Sequence, residues 1–138
     1  MDDNEFRQAL AVLEAYQRQL ENFSSQAELL RMSLDDSLRA RDTLQAVADA
    51  KEGDDLLIPV GSGTFVHASV SKKRTAVVGV GSRVSVEKDL GSAVEFMKTG
   101  INDITEALKK ADAAIKEVDE AARKLSAAVQ QEYQRRQQ

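Results

Sequence analysis

Reactive and metal-ligating side chains are sparse in this sequence. The single histidine, His67, lies in an alternating run, and no neighbouring motif would make it a base or a ligand. It reads as a packing or surface residue. Lys72-Lys73-Arg74 is a basic run, but the net charge of −4 gives it no wider positive field to attract a nucleic acid. A solvated turn is the expectation. Asp35-Asp36 and Asp54-Asp55 supply carboxylates without the spacing or turn glycine of a calcium loop. Gly79-Val80-Gly81 shares only glycines with a phosphate loop: no Lys-Ser or Lys-Thr follows, and its surroundings pattern as a hairpin. The chain has no cysteine, hence no thiol nucleophile, thiolate metal site or disulfide, as suits a reducing compartment. No catalytic, cofactor or metal site is predicted, and an enzyme has no constellation to rest on.

The chemistry that remains is apolar contact, and its spacing is regular. Phe6, Ala9, Leu13, Tyr16, Leu20, Phe23, Ala27, Leu30, Leu34, Leu44 and Ala48 follow alternating steps of three and four, with Ser37 and Arg41 as breaks. Sustained for about six heptads, this stripe predicts a coiled-coil seam. A second seam runs through Leu90, Val94, Met97, Ile101, Ile104, Leu108, Ala111, Ile115, Val118, Ala122, Leu125 and Val129. Aromatics are only 4% of the chain, so Ala and Leu seams suit the composition better than a bulky core. Helices are predicted over 3–52 and 89–137, each reaching about 65–70 Å at 1.5 Å per residue. Asp2 or Asp3 can cap the first, and Gly53 is placed to end it. Asp89 and the Ser92-to-Glu95 capping-box spacing mark the entry of the second. Gly100 inside that helix costs about 1 kcal/mol relative to Ala. Arg41 has three open roles: fixing register, turning its head group outward, or approaching the strands at the root of the arm.

Residues 54–88 lose the helical period and turn Val-, Thr-, Gly- and Ser-rich. Leu56 to Val60, Gly61-Ser62-Gly63 and Thr64 to Val70 form one hairpin signature; Thr75 to Val78 and Arg83 to Val86, joined through Gly79-Val80-Gly81-Ser82, form another. Val66, Ala68 and Val70 alternate with Phe65, His67 and Ser69, giving that strand two faces. Val77-Val78 breaks alternation and predicts burial on both sides.

Hairpins return the chain to where it left, so the second helix can run antiparallel to the first. The predicted class is α+β: a long antiparallel coiled-coil helical hairpin with an inserted pair of β-hairpins, forming a single subunit over 1–138. Knobs-into-holes packing limits the register to discrete choices. Leu20 opposite Leu125 and Leu30 opposite Ile115 is preferred, since large residues then meet small ones in the neighbouring layers. Phe6 would then overhang the tip. The register one heptad away sets Ala27 against Ala111, a thin layer. Two hairpins are marginal alone and leave open edges, so Leu57, Ile58, Val60, Val66, Val70, Val77, Val78, Val80, Val84 and Val86 are the candidate oligomerisation residues. No signal-peptide pattern or membrane span is evident, and a cytoplasmic location without membrane or nucleic-acid partners is expected.

The order of heptad helix, Leu56-Leu57-Ile58-Pro59-Val60-Gly61, paired hairpins with Val77-Val78-Gly79-Val80-Gly81, Glu87-Lys88 and a second heptad helix resembles prefoldin alpha subunits of archaeal type. The likeness covers essentially the whole chain, and four strands rather than two match the alpha class. It implies a hexamer of two alpha and four beta subunits whose hairpins join an oligomeric β-barrel body with coiled-coil tentacles. It further implies capture of non-native client proteins without nucleotide, and their transfer to a group II chaperonin. The grip would lie near the tip: Phe6, Ala9, Leu10, Val12, Leu13 and Tyr16 with Leu125, Val129 and Tyr133. Leu10 and Val12 sit off the seam, so pairing alone does not bury them, and fraying would expose seam residues as well. A structural coiled-coil scaffold binding one folded partner is the alternative.

Overall fold

The computed structural model describes all 138 residues. The elements run α1 (Asp3–Asp49), β1 (Asp55–Gly61), β2 (Thr64–Ser69), β3 (Thr75–Gly81), β4 (Val84–Asp89) and α2 (Leu90–Gln137). Two long helices flank two antiparallel hairpins, as the change of period from helix to strand and back predicts. The residues form two units: Met1–Ser33 with Ile104–Gln138, and Leu34–Asp103.

The helix ends show which side chains satisfy the free amides. At α1, the Glu5 amide donates to the Asp2 carboxylate at 2.8 Å and the Asp2 amide donates back to Glu5 at 3.3 Å, a reciprocal cap. At α2, the cap is Asp89. It accepts from the Ser92 amide at 2.8 Å and the Ser92 hydroxyl at 2.9 Å, chiefly the former holding its carboxyl below the usual range. Ser92 thus lies inside the helix, and Glu95 pairs with Lys98 instead of closing the expected Ser92–Glu95 box. Helix α1 also stops at Asp49, short of 52. Gly53, with φ 87°, serves the turn after it, where Asp54 bonds the Lys51 amide at 2.8 Å. Gly100 is absorbed within α2 without a break.

In the first unit the two helices are antiparallel, because Asp3 meets Arg136 at 2.6 Å and Arg31 meets Asp112 at 3.1 Å. The first pair corrects the expected register, since Asp3 beside Arg136 matches the alternative that places Ala27 against Ala111; Arg31 and Asp112 lie between the two registers. Ala27 is fully buried, so the thin layer is drawn tight rather than left hollow. The heptad pattern favours neither register, since both keep seam facing seam. Matching the helix ends decides it, for it pairs apolar surface and charge that an overhang would leave in water. Phe6 consequently does not overhang. It is half-buried, with the Arg136 guanidinium 4.6 Å from its ring centre.

In the second unit the hairpins share one design. Leu57 pairs with His67, Ile58 with Val66 and Pro59 with Phe65; twenty residues on, Val77 pairs with Glu87, Val78 with Val86 and Gly79 with Ser85. Each turn is a two-residue loop with both φ positive: Ser62 52° and Gly63 68°, then Ser82 50° and Arg83 62°. Before each loop the register slips by one residue, at Val60 and at Val80. The second loop is therefore Ser82-Arg83, later than the expected Gly79 to Ser82. Arg83 holds a left-handed backbone that glycine adopts more readily.

Arg74 ties this unit together. Its Nη2 donates to the carbonyls of Val47, Ala48 and Ala50 at 3.2, 2.8 and 3.0 Å, satisfying the C-terminal end of α1. Its own carbonyl accepts from the Leu90 amide at 3.2 Å, at the start of α2. Lys73 instead pairs with Glu87 at 2.8 Å. Of the basic run expected to be a solvated turn, Lys72 and Lys73 stay exposed and only Arg74 departs from that role. Arg41 turns its guanidinium to Asp42 at 3.0 Å, which settles its three open roles in favour of the outward one.

Candidate functional site

Two apolar grooves open on the helix pair of the first unit. Ala9, Val12 and Tyr16 of α1 with Ala121, Leu125 and Ala128 of α2 wall one of about 670 Å³, with Glu5, Gln8 and Lys124 as its polar members. Phe6 and Leu10 with Val129 and Tyr133 wall another of about 500 Å³, with Gln130 and Gln134 beside them. Helical geometry explains the pair. Leu10 follows seam residue Ala9 and Val12 precedes seam residue Leu13, so the two flank the stripe on opposite sides. Each lays an apolar side chain beside a closed seam, and both remain about two-fifths exposed at 40% and 42%.

A buried carboxylate closes this end. Glu132 occupies the next position of the α2 stripe after Val129 and is 7% exposed. Arg135 donates to it at 2.5 and 3.0 Å, Arg136 at 3.0 Å, and the Met1 ammonium lies 3.5 Å away. The Arg135 guanidinium, above all, holds its carboxyl at about 2, far below the usual range, despite the opposing cost of burial. Arg136 also bonds Asp3 at 2.6 Å and the Met1 carbonyl at 3.0 Å while covering Phe6.

The strands of the second unit leave much of their apolar surface in water. Leu57, Ile58, Val60, Phe65 and Val66 are exposed on the first hairpin, and Val77, Val80, Val84 and Val86 on the second. Val77 is 73% exposed, contrary to the expectation that both Val77 and Val78 are buried; Val78 alone is, at 3%. Leu56 to Pro59 leave an apolar cleft of about 440 Å³ against Thr43, Ala46 and Val47, and Ala76 to Val78 leave one of about 410 Å³ against Ala40, Thr43 and Leu44.

Of the nine tip residues expected from sequence, eight line the two grooves; Leu13 stays half-buried in the seam. Of the ten strand residues, Val70 and Val78 are buried within the chain and eight face outward. His67 is exposed opposite Leu57. Sequence reading missed Glu132, Gln130 and Gln134. A signal was present at Glu132: an acid at an apolar stripe position, followed by Arg135-Arg136. No three His, Asp or Glu side chains cluster to hold a metal ion, and no helix is long and apolar enough to cross a membrane.

Long paired helices carrying hairpins with unfinished apolar faces define a coiled-coil assembly protein. Residues 16–135 match the family model described as prefoldin subunit. The chain is 32% identical over 108 residues to a prefoldin subunit alpha of Methanothrix thermoacetophila, covering 78% of this chain and 71% of the relative. It is also 32% identical over 110 residues to one from Methanoregula boonei, covering 80% and 71%. Among solved structures, a filamentous PFD from Methanocaldococcus jannaschii aligns with TM-score 0.66 and 25% identity, over 88% of this chain and 98% of that one. The prefoldin beta subunit from Thermococcus strain KS-1 shares the fold, with TM-score 0.61 and 18% identity over 92% and 90%. This chain belongs to the prefoldin family. Its role is that of a chaperone subunit within an oligomer of prefoldin subunits, and its relatives are archaeal alpha subunits.

Proposed function

We propose that the two units divide the work of a non-enzymatic, cytoplasmic chaperone. The tip of Met1–Ser33 and Ile104–Gln138 captures non-native proteins without nucleotide, and the strands assemble the subunit with beta-type partners, two alpha to four beta. The observation that carries this reading is the placement of exposed apolar surface. Leu10, Val12 and Tyr133 expose apolar surface at the tip grooves, and nine residues do so on the hairpin faces; Leu29 and Met32 are exposed farther along α1. Single contacts of this kind are weak, but several tips acting on one unfolded chain gain through effective concentration. Mainly apolar grooves, with only Glu5 and Lys124 as charged members, suit many clients rather than one folded partner. Transfer of the held client to a group II chaperonin completes the role.

Removal of residues 1–12 tests the division. In the assembled complex, the truncation should weaken ATP-free suppression of aggregation across several unrelated denatured proteins while native mass stays that of the full oligomer. Loss of the oligomer, or undiminished suppression by a complex whose other tips are blocked, would refute it.

A further inference from the structure

The two hairpins share a backbone design but not the side chains on their outward faces. In the first, that face carries Leu57 beside His67 and Pro59 beside Phe65, and the Phe65 ring is 57% exposed. At the corresponding places the second carries Val77 beside Glu87 and Gly79 beside Ser85. A bulky pair on one hairpin thus answers to two small residues on the other. Nothing within the chain calls for glycine at 79. Its φ is not positive, a side chain placed there meets no atom within 4 Å, and Pro59 occupies the equivalent place before the first slipped residue. A glycine inside a strand weakens it, and one without an internal cause marks a place where another surface comes close.

We propose that the notch over Gly79 and Ser85 receives the Phe65 ring of a second copy of this chain, so that the first hairpin of each copy docks face-on against the second hairpin of the other. The inference rests on the strand-assembly reading above and names the residues that choose the partner surface. Laid face to face with their strands running the same way, the two designs place β2 over β3, and Phe65 over Gly79. In the next row, His67 and Leu57 meet Val77 and Glu87. Both bonds to Glu87, from Lys73 and from the Thr75 hydroxyl at 2.8 Å, fall on Oε1, which leaves Oε2 for the imidazole N–H. The last row brings Asp55 toward Asp89, but the Asp89 carboxylate is turned to its cap on Ser92. Each chain has one such ring and one such notch, so two copies satisfy both and the contact closes on itself.

Sedimentation equilibrium and native mass of the full chain without other subunits test this. The wild-type chain should pair. Gly79→Leu and Ser85→Leu, which fill the notch, and Phe65→Ala, which removes the ring, should each weaken pairing about ten-fold or more. Helical circular dichroism should stay unchanged in all three, since these positions are exposed within the chain. Mixing Gly79→Leu chains with Phe65→Ala chains should bring pairing back to within about three-fold of wild type, because the added leucine then fills the space of the missing ring while the other contact is native. A wild-type chain that stays monomeric, an unchanged affinity with Gly79→Leu and Ser85→Leu, or a mixture no better than its components overturns the proposal. If such chains still join beta-type partners, the strand-assembly reading stands without it. If Val77→Asp leaves that joint assembly intact, the strand-assembly reading itself fails.

Discussion

Val129 and Val77 are the same side chain in opposite circumstances: the first is 9% exposed in the helix pair, the second 73% exposed on β3. In the unit of Met1–Ser33 and Ile104–Gln138, one chain provides both halves of its seam, and the apolar stripe is finished when the helices meet. In the unit of Leu34–Asp103, each hairpin is a two-stranded ribbon whose outward valines have no partner in the chain. Burying such a side chain is worth about 1.5–3 kcal/mol. The helix seam contributes that to folding. On the division of work proposed above, the strands hold it in reserve for association with other subunits.

The largest effect that would break this contrast is at Val77. Val77→Asp should leave the helical circular dichroism of the chain unchanged but weaken assembly by about 10²–10³-fold, since an unpaired charge is costly to bury. Native mass would report the loss. Asp at Val129 should do the reverse, lowering helical content before assembly is reached; equal effects at both sites would erase the distinction.

An intermediate effect is expected at the root. Arg74→Met removes the donor shared by two α1 carbonyls and that of Ala50 just beyond, and should lower stability by about 2 kcal/mol, read from thermal melts. Arg74→Lys should recover only part, because an ammonium lacks the planar reach of the guanidinium. The smallest effect is at Glu132. Its folded pKa is depressed to about 2, so its contribution is present above the ordinary carboxylate value and is lost as pH falls from there through 2. The chain has two tyrosines and no tryptophan, and Tyr16 and Tyr133 both line tip grooves. An acid titration followed by tyrosine fluorescence should therefore show a tip transition below about pH 4. Glu132→Gln should flatten it.

The elements were legible because each rests on local spacing. The three-and-four steps from Phe6 to Ala48 and from Leu90 to Val129 predict the helices, and Gly61-Ser62-Gly63 predicts a turn. Register was not legible, since slipping one heptad keeps every seam residue against another. The observed pairing is marked by the reach of Arg136 to Asp3, which no periodicity encodes. Arg74 was hidden for a related reason. Beside Lys72 and Lys73 it looks like surface charge, and only the return of the hairpin brings it beneath the end of α1. The tip residues fared better: Leu10 and Val12 betray themselves as apolar residues off the stripe. Their arrangement into two grooves depends on Tyr133 and Ala128 from the other helix.

The twenty-residue offset makes each hairpin a self-contained structural repeat. Register, slipped residue and turn recur with every partner shifted by twenty positions, from Asp55 with Ser69 and Thr75 with Asp89 onward. Each hairpin also ends where it began: Val70 bonds back to Gly53 and Asp54, and Leu90 bonds back to Arg74. Such a module can be gained or lost by a single in-frame duplication or deletion, without rewriting either helix. Removing one twenty-residue repeat would therefore leave a subunit with a single hairpin between the same two helices.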